Sequence, residues 1–417
     1  MRSVRSVDTN RTYLSVSFNV WVIGFVTFLK NTSSVVLVIF VPFYLKNVLG
    51  ISMSFLGFLE GVVEAISFFS RILSGVLSDT IKKRKPLLIV GYTLSLLGRI
   101  FLALSTSVPG IFMSRACERL GNGVQASPRD ALVSDYTTFQ NRGASFGLRN
   151  SLTVMGSVVG ALLAMWFMSW SNNDYQTLFW LTLIPSSLAL LLLLCAVKDK
   201  KIILKEEKKT QTLDLKIFLH DLRQLPSHFW KILCLGFFIM MSNFGIVFLI
   251  MRAEQFGLDP SNAPIIMIVQ SLSNALSAFP LGFLGDHMGR RGMLYVGIVL
   301  LILGNFGLSV SSNLITVIGF VFVWGVQMGV TQNTLLSFVT DVTPAHLRGT
   351  AFGTFHFGSG IATLMANTMT GILWELFSAQ KAFLFNGFIA CITLLIAHFF
   401  LPKVYPTKAF SKKKLIS

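Results

Sequence analysis

The sequence predicts an all-α polytopic membrane protein with twelve transmembrane helices in two pseudo-symmetric six-helix bundles. The first reason is composition: 53% of the 417 residues are hydrophobic and only 13% are charged, about half the charge of an ordinary soluble domain. With the 33 glycines the apolar set comes to about 254 positions, enough for some twelve crossings at about 20 residues each. The second reason is an internal repeat. GVLSD at Gly75–Asp79 recurs as GFLGD at Gly282–Asp286, and Asp135 precedes Arg142 as Asp341 precedes Arg348, at an offset of 206 to 207 residues. Phe146, Gly147 and Gly123 match Phe352, Gly353 and Gly329 on the same shift. The third is charge placement. The net charge of +17 is spread between apolar runs instead of forming one basic face, which excludes a nucleic-acid partner and turns the bases into a topology signal.

Taken in order, spans are predicted at 15 to 40, 51 to 78, 86 to 107, 109 to 130, 144 to 169 and 176 to 198. A second set follows at 229 to 254, 262 to 284, 293 to 311, 314 to 338, 348 to 374 and 382 to 402. The first run contains Lys30 and Asn31 and lacks a small-residue cleavage site, so it is helix one and not a signal peptide. An even count puts both termini on one side. Arg2, Arg5, Arg11, the Lys82–Lys85 cluster, Arg142, the lysines after Val197, Arg290, Arg291, Arg348 and the C-terminal lysines share that side, against little beyond Lys46, Arg252 and Lys381 opposite. That side is expected to be cytoplasmic. The domains are therefore an N-terminal bundle at 1–198, a cytoplasmic linker at 199–228 with a surface helix around Leu213 to Leu222, a C-terminal bundle at 229–402 and a basic cytoplasmic tail at 403–417. The 38 phenylalanines suit lipid contact, and the four cysteines lie in apolar stretches without zinc or disulfide spacing.

The stretch Gly282, Asp286, His287, Met288, Gly289, Arg290, Arg291 resembles the signature loop between helices two and three of each half in the major facilitator superfamily of secondary transporters. Gly75, Asp79, Lys82, Lys83, Arg84, Lys85 is a degraded copy without the glycine before the basic pair. The resemblance covers nearly the whole chain. It implies that Asp79 and Asp286 brace helix ends against the opposite half, while Arg84, Arg290 and Arg291 form bonds that break as the halves rock. A carboxylate near a helix N-terminus and an arginine fork suit such a state-dependent clamp. Asp130 or Asp135 with Arg142, and Asp341 with Arg348, complete the expected cytoplasmic gate. ERLGNGVQASPRD, from Glu118 to Asp130, is similar to a helix-four signature of bacterial members, with Pro128 expected to bend or end the helix. In helix five, Gly156 and Gly160 resemble part of an exporter motif. Ala161 and Thr153 stand where a proline and an aspartate would be expected, so the glycines read as packing and not as evidence of export.

Ionisable groups inside hydrocarbon cost several kcal/mol unless they face a cavity or a partner. Glu60 and Glu64 lie one helical turn apart, with Arg71 continuing roughly down their stripe, and Arg115 and Arg119 repeat the i, i+4 spacing on helix four beside Glu118. With Lys30 and Asn31 in helix one, Arg115 and Arg119 are the leading cavity groups, since helices one and four line the path in the resembled family. Glu60, Glu64 and Glu118 are the candidate charge or proton-coupling network. Arg99 reads as a structural partner of Glu60. Permanent salt bridges locking helices one, two and four are the alternative. The second half offers Trp324 and Gln327 as an aromatic wall and an amide for a ligand, with Gln270, Gln332, Asn333, His356 and Asn367 as further polar landmarks, and Arg252 with Glu254 as an external gate or interface marker.

The expected function is alternating-access transport of a small polar solute, anionic or zwitterionic, coupled to protons. No phosphate-binding loop suggests ATP use, and neither a metal cluster nor a nucleophile–base set suggests an enzyme. An efflux pump for amphipathic compounds and a transporter-like sensor are the alternatives. The expected setting is a monomer without cofactor or metal, among the lipids of a bacterial inner membrane.

Overall fold

The computed structural model describes residues 16–81, 84–137, 141–171, 173–197, 199, 220–344 and 347–400, with side chains at all of these except 76, 79–81, 142–143, 278–287 and 332–333. Helices are the only regular elements among them, as expected where hydrocarbon offers the backbone no partners and each segment must satisfy its own N–H and C=O groups. The first half comprises α1 (Phe18–Phe43), α2 (Met53–Ile81), α3 (Lys85–Leu104), α4 (Val108–Asp135), α5 (Arg142–Trp170) and a sixth crossing made of α6 (Tyr175–Leu181) and α7 (Leu183–Ala196). The second half comprises a seventh crossing made of α8 (Ser227–Met241) and α9 (Ile246–Glu254), then α10 (Pro264–Val310), α11 (Leu314–Val342), α12 (Arg348–Leu376) and α13 (Ala379–Phe400). α10 contains two crossings, because Gly289 takes a left-handed conformation, φ 71°, that turns the chain without interrupting the helical hydrogen bonding on either side.

By length and apolar composition, nine helical spans among the described residues are able to cross a membrane. The limb of α10 before Gly289, α12 and α4 complete the twelve; α4 falls short on composition because it carries Arg115, Glu118, Arg119, Arg129, Asp130 and Asp135. Two local expectations are corrected, and a third lies largely outside the described residues. Pro128 does not end α4, which runs on to Asp135 and buries Leu132 and Val133 in the core of the first half. The seventh crossing is not continuous: Gly245 N donates to Asn367 Oδ1 at 2.7 Å and Asn243 Nδ2 to Ile239 O at 2.8 Å, so side-chain bonds replace helical ones between α8 and α9. Of the surface helix expected around Leu213 to Leu222, only the turn from His220 lies within the described residues.

The repeat is visible in the contacts. Arg84 Nε lies 2.6 Å from Asp135 Oδ2, and the residues 206 positions on, Arg290 and Asp341, form the same pair in the second half. α2 packs on α4, and correspondingly the first limb of α10 packs on α11. Between the halves α2 runs along α12 and α5 along α10. At the end bearing Lys46 this contact is backbone to backbone: a Cβ on Gly57 would lie 2.4 Å from Asn367 O, and one on Gly371 2.5 Å from Met53 O. Apolar packing follows the same division. One core joins both halves, from Val35 and Leu45 to Phe248 and Phe383, whereas two others stay within single halves toward the basic end, around Val20–Val197 and Leu225–Ala397.

Candidate functional site

A polar layer sits at mid-depth of the first half. α1 contributes the run Lys30, Asn31, Thr32, Ser33, Ser34, with Lys30, Ser33 and Ser34 buried. α4 contributes Arg115, Glu118, Arg119 and Asn122, which recur at three- and four-residue spacing and so share one face. Arg115 is fully buried. Its guanidinium holds both Glu60 oxygens, at 2.8 and 3.0 Å, and Glu118 at 3.2 Å. Arg99, also fully buried, donates to Ser33 Oγ at 2.5 Å, Ser34 Oγ at 2.6 Å and Ser95 O at 2.7 Å, and lies 3.9 Å from Glu118. Arg119 pairs with Glu64 at 2.6 Å, where both side chains keep some exposure, 16% and 29%. Lys30 donates to Asn122 Oδ1, which also accepts from Gln125 at 3.0 Å, and Asn31 donates to Thr153 O and Ser157 Oγ.

These contacts separate the predicted cavity residues into two groups. Lys30, Asn31, Glu118, Arg119 and Asn122 line a cavity of about 180 Å³, and Met267 of α10 in the other half contributes to its wall. Arg115 and Glu60 are not among its lining residues; each is consumed by the other, so their geometry is that of a lock between α2 and α4. Arg99 meets Glu118 and serines, not Glu60 as expected, because Arg115 already occupies that carboxylate. Trp324 stacks on Phe244 at 5.7 Å between ring centres, and Gln327 bonds Thr331 at 3.0 Å; both are buried and absent from the cavity wall. At the 206-residue offset Glu60, Arg99, Arg115 and Glu118 correspond to Ile266, Asn305, Val321 and Trp324, so the second half holds no charges in these places.

Electrostatics single out Lys30. In this layer Lys30, Arg99, Arg115 and Arg119 face Glu60, Glu64 and Glu118; each arginine lies within 4 Å of a carboxylate, and the ammonium bonds only an amide oxygen among the described residues. Counted with every group ionised, the layer has one more cation than carboxylates, and the cation without a carboxylate partner among the described residues is Lys30 at the cavity. Asn122, Gln125, Ser33, Ser34 and Ser157 complete it and were not singled out from sequence, although a run of five polar residues inside an apolar span was a usable signal.

At the helix ends, the side chains of Asp79, Arg142 and Asp286 lie outside those described. Asp135 pairs with Arg84, Asp130 with Arg129 at 3.2 Å and Arg149 at 3.3 Å, and Arg290 with Asp341; all are bonds within one half. Arg291 lies over the Tyr295 ring, and Arg348 is exposed. At the opposite end, Glu254 reaches across the halves to Lys46 at 2.6 Å and Asn47 at 2.9 Å, while Arg252 turns to Gln255 and Ser311 O.

A family model, Major Facilitator Superfamily, matches residues 20–366 and 232–415. An uncharacterized MFS-type transporter of Methanocaldococcus jannaschii is 26% identical over 92% of this chain and 95% of its own length. The inner membrane transport protein YajR of Escherichia coli is 25% identical over 84% of this chain and 75% of its own. Among solved structures, a POT family transporter bound to a thioalcohol-conjugated peptide superposes with a TM-score of 0.77 at 16% identity, over 92% of this chain and 96% of that one. The nucleoside transporter NupG gives 0.77 at 15% identity, over 92% and 100%.

Proposed function

The chain belongs to the Major Facilitator Superfamily, and from that premise we propose that it carries a small anionic or zwitterionic solute by alternating access, coupled to protons. The observation that supports the substrate class is the surplus charge of the polar layer, placed at a cavity wall by Lys30 beside the largely buried Arg119. A buried cation without a counterion is costly, and an incoming carboxylate relieves that cost. The cavity of about 180 Å³ is below the roughly 300–1,000 Å³ of pockets for drug-sized ligands, which favours a small solute over an amphipathic drug.

Coupling follows from the Arg119–Glu64 pair. When Arg119 turns to a solute carboxylate, Glu64 is left as a lone carboxylate in a low-dielectric layer and takes a proton. Solute and proton then travel together. The basic connections orient Lys46 away from the cytoplasm; the joint apolar core and the Lys46–Glu254 bridge then lie toward the outer side. Asp79, Arg84, Asp130, Asp135, Arg142, Asp286, Arg290, Arg291, Asp341 and Arg348 are assigned to closure of the cytoplasmic side.

The test is uptake into proteoliposomes, acid outside, with a panel of small anionic, zwitterionic and cationic solutes. Accumulation of an anion or zwitterion that collapses with a protonophore, and is lost in Lys30→Gln, is expected. Movement of cations alone, or uptake indifferent to the proton gradient, would sink the substrate class or the coupling respectively.

A further inference from the structure

Toward the basic end, beyond the cavity, three arginines remain that the transport cycle above does not use. Arg71 of α2, Arg129 of α4 and Arg149 of α5 lie six to ten residues inside the helix ends Ile81, Asp135 and Arg142. On α4, ten residues separate Arg129 from Arg119, about 15 Å along the axis. The carboxylate bonded within this group is Asp130, shared by Arg129 at 3.2 Å and Arg149 at 3.3 Å. Arg71 has none. Its guanidinium lies 5.9 Å from the Phe68 ring centre, and its buried Nε has no acceptor among the described residues. Arg149 Nε and His356 Nδ1 are likewise buried without a partner, and His356 faces the group from α12 with its ring 6.1 Å from that of Phe68. Ser127 of α4 donates to Arg71 O at 3.1 Å, which ties the backbone of Arg71 to α4 two residues before Arg129. The charges acting on Arg71 are those of Arg129, Asp130 and Glu64, and Glu64 is engaged by Arg119.

Among the described residues, three guanidinium groups and one carboxylate leave about two positive charges without a counterion, with Arg129, Arg149 and Asp130 keeping 20%, 13% and 46% side-chain exposure. Hydrocarbon does not tolerate that without water or a counterion, and arginine forks with free N–H groups match carboxylate and phosphate oxygens. We propose that Arg71, Arg129 and Arg149 form a second anion site, separate from the central cavity, that takes a carboxylate or phosphate group on the path between the cavity and the basic ends of the helices. The site rests on the transport reading for its place on the path; its existence stands on the arginine geometry alone.

The test is equilibrium binding of radiolabelled citrate and of inorganic phosphate to the purified full chain in neutral detergent, counting sites per chain. Two classes of site are expected for at least one of the two anions. Lys30→Gln removes the cavity class, while Arg71→Gln combined with Arg149→Gln weakens the other about tenfold or more, as loss of charge-assisted bonds implies. Arg71→Lys, which keeps the charge, is expected to fall between. Phosphatidylglycerol competing at the second class only would also support the site and assign its occupant to a lipid phosphate. A single class, lost in Lys30→Gln and untouched in the arginine variant, overturns this proposal and leaves the anionic reading of the cavity standing. A single class lost only in the arginine variant supports this site and overturns the cavity reading; absence of binding of either anion overturns both.

Discussion

Glu254→Gln tests whether the Lys46 end is a latch. The pair joins α9 to the π-helical turn Tyr44–Val48 that follows α1, and its side chains are 33% and 18% exposed, so the ionic contribution lies at the modest value of surface bridges, about 0.3–1 kcal/mol. Asn47 gives the same carboxylate a second bond at 2.9 Å, worth about 0.5–1 kcal/mol net. Together about 1–2 kcal/mol of inter-half attraction is lost, which shifts the ratio of separated to closed outer ends by about 5- to 30-fold. Spin labels at Val48 and Asp259, exposed on opposite halves, report that separation by pulsed dipolar spectroscopy in a background lacking Cys117, Cys195, Cys234 and Cys391. A longer-distance population should grow in Glu254→Gln and in Lys46→Gln, and the charge-swapped pair should return toward the wild type. Unchanged distance distributions in both single variants would refute the latch.

Three further outcomes follow from the geometry. Arg115→Ala strands the buried Glu60 carboxylate and should cost about 3–5 kcal/mol, read as a large drop in melting temperature in detergent, whereas Lys30→Gln should abolish transport at nearly unchanged melting temperature. Gly160→Ala places a Cβ 2.3 Å from Thr32 O, so α5 must move off α1 at a cost of about 1–3 kcal/mol, measurable by the same melting assay. Asp174 caps α6 by accepting from Thr177 N, and hydrogen bonds from the Thr177 side chain and then its backbone hold the carboxyl below the usual carboxylate range. Its contribution is present above the unfolded value near 3.9 and is lost as pH falls through the lower folded value. Asp174→Ala should therefore cost about 1 kcal/mol at neutral pH and remove that acid-side loss from the stability–pH profile.

The twelve crossings and the duplication were legible because lipid forces long apolar runs and because the repeat preserved ionic partners: the same offset that aligns Arg84 with Arg290 aligns Asp135 with Asp341. Depth was legible too, and it brought Lys30, Glu64, Glu118 and Arg119 correctly to one level. Helical spacing alone does not say which member of a face meets a cavity and which meets a neighbouring helix. Arg115 and Arg119 are one turn apart on the same stripe, yet Glu60 of α2 buries the first and leaves the second at the cavity wall. Trp324 read as a ligand wall because its helix was expected to line the cavity; Phe244 on the seventh crossing, a contact between residues 80 positions apart, stacks on its ring instead. The break between α8 and α9 was hidden because its acceptor, Asn367, lies 122 residues away.

The unequal distribution of charge between the duplicated halves has a mechanical consequence. Arg99 and Arg115 tie α1, α2, α3 and α4 through Ser33, Glu60 and Glu118, and none of these helices can slide without stranding an ion in oil. The second half, with Ile266, Asn305, Val321 and Trp324 in those places and an interrupted seventh crossing, has no ion pairs at these positions among the described residues. A motion between the halves would therefore carry the first bundle as one block and bend the second, above all at the joint between Ser242 and Gly245.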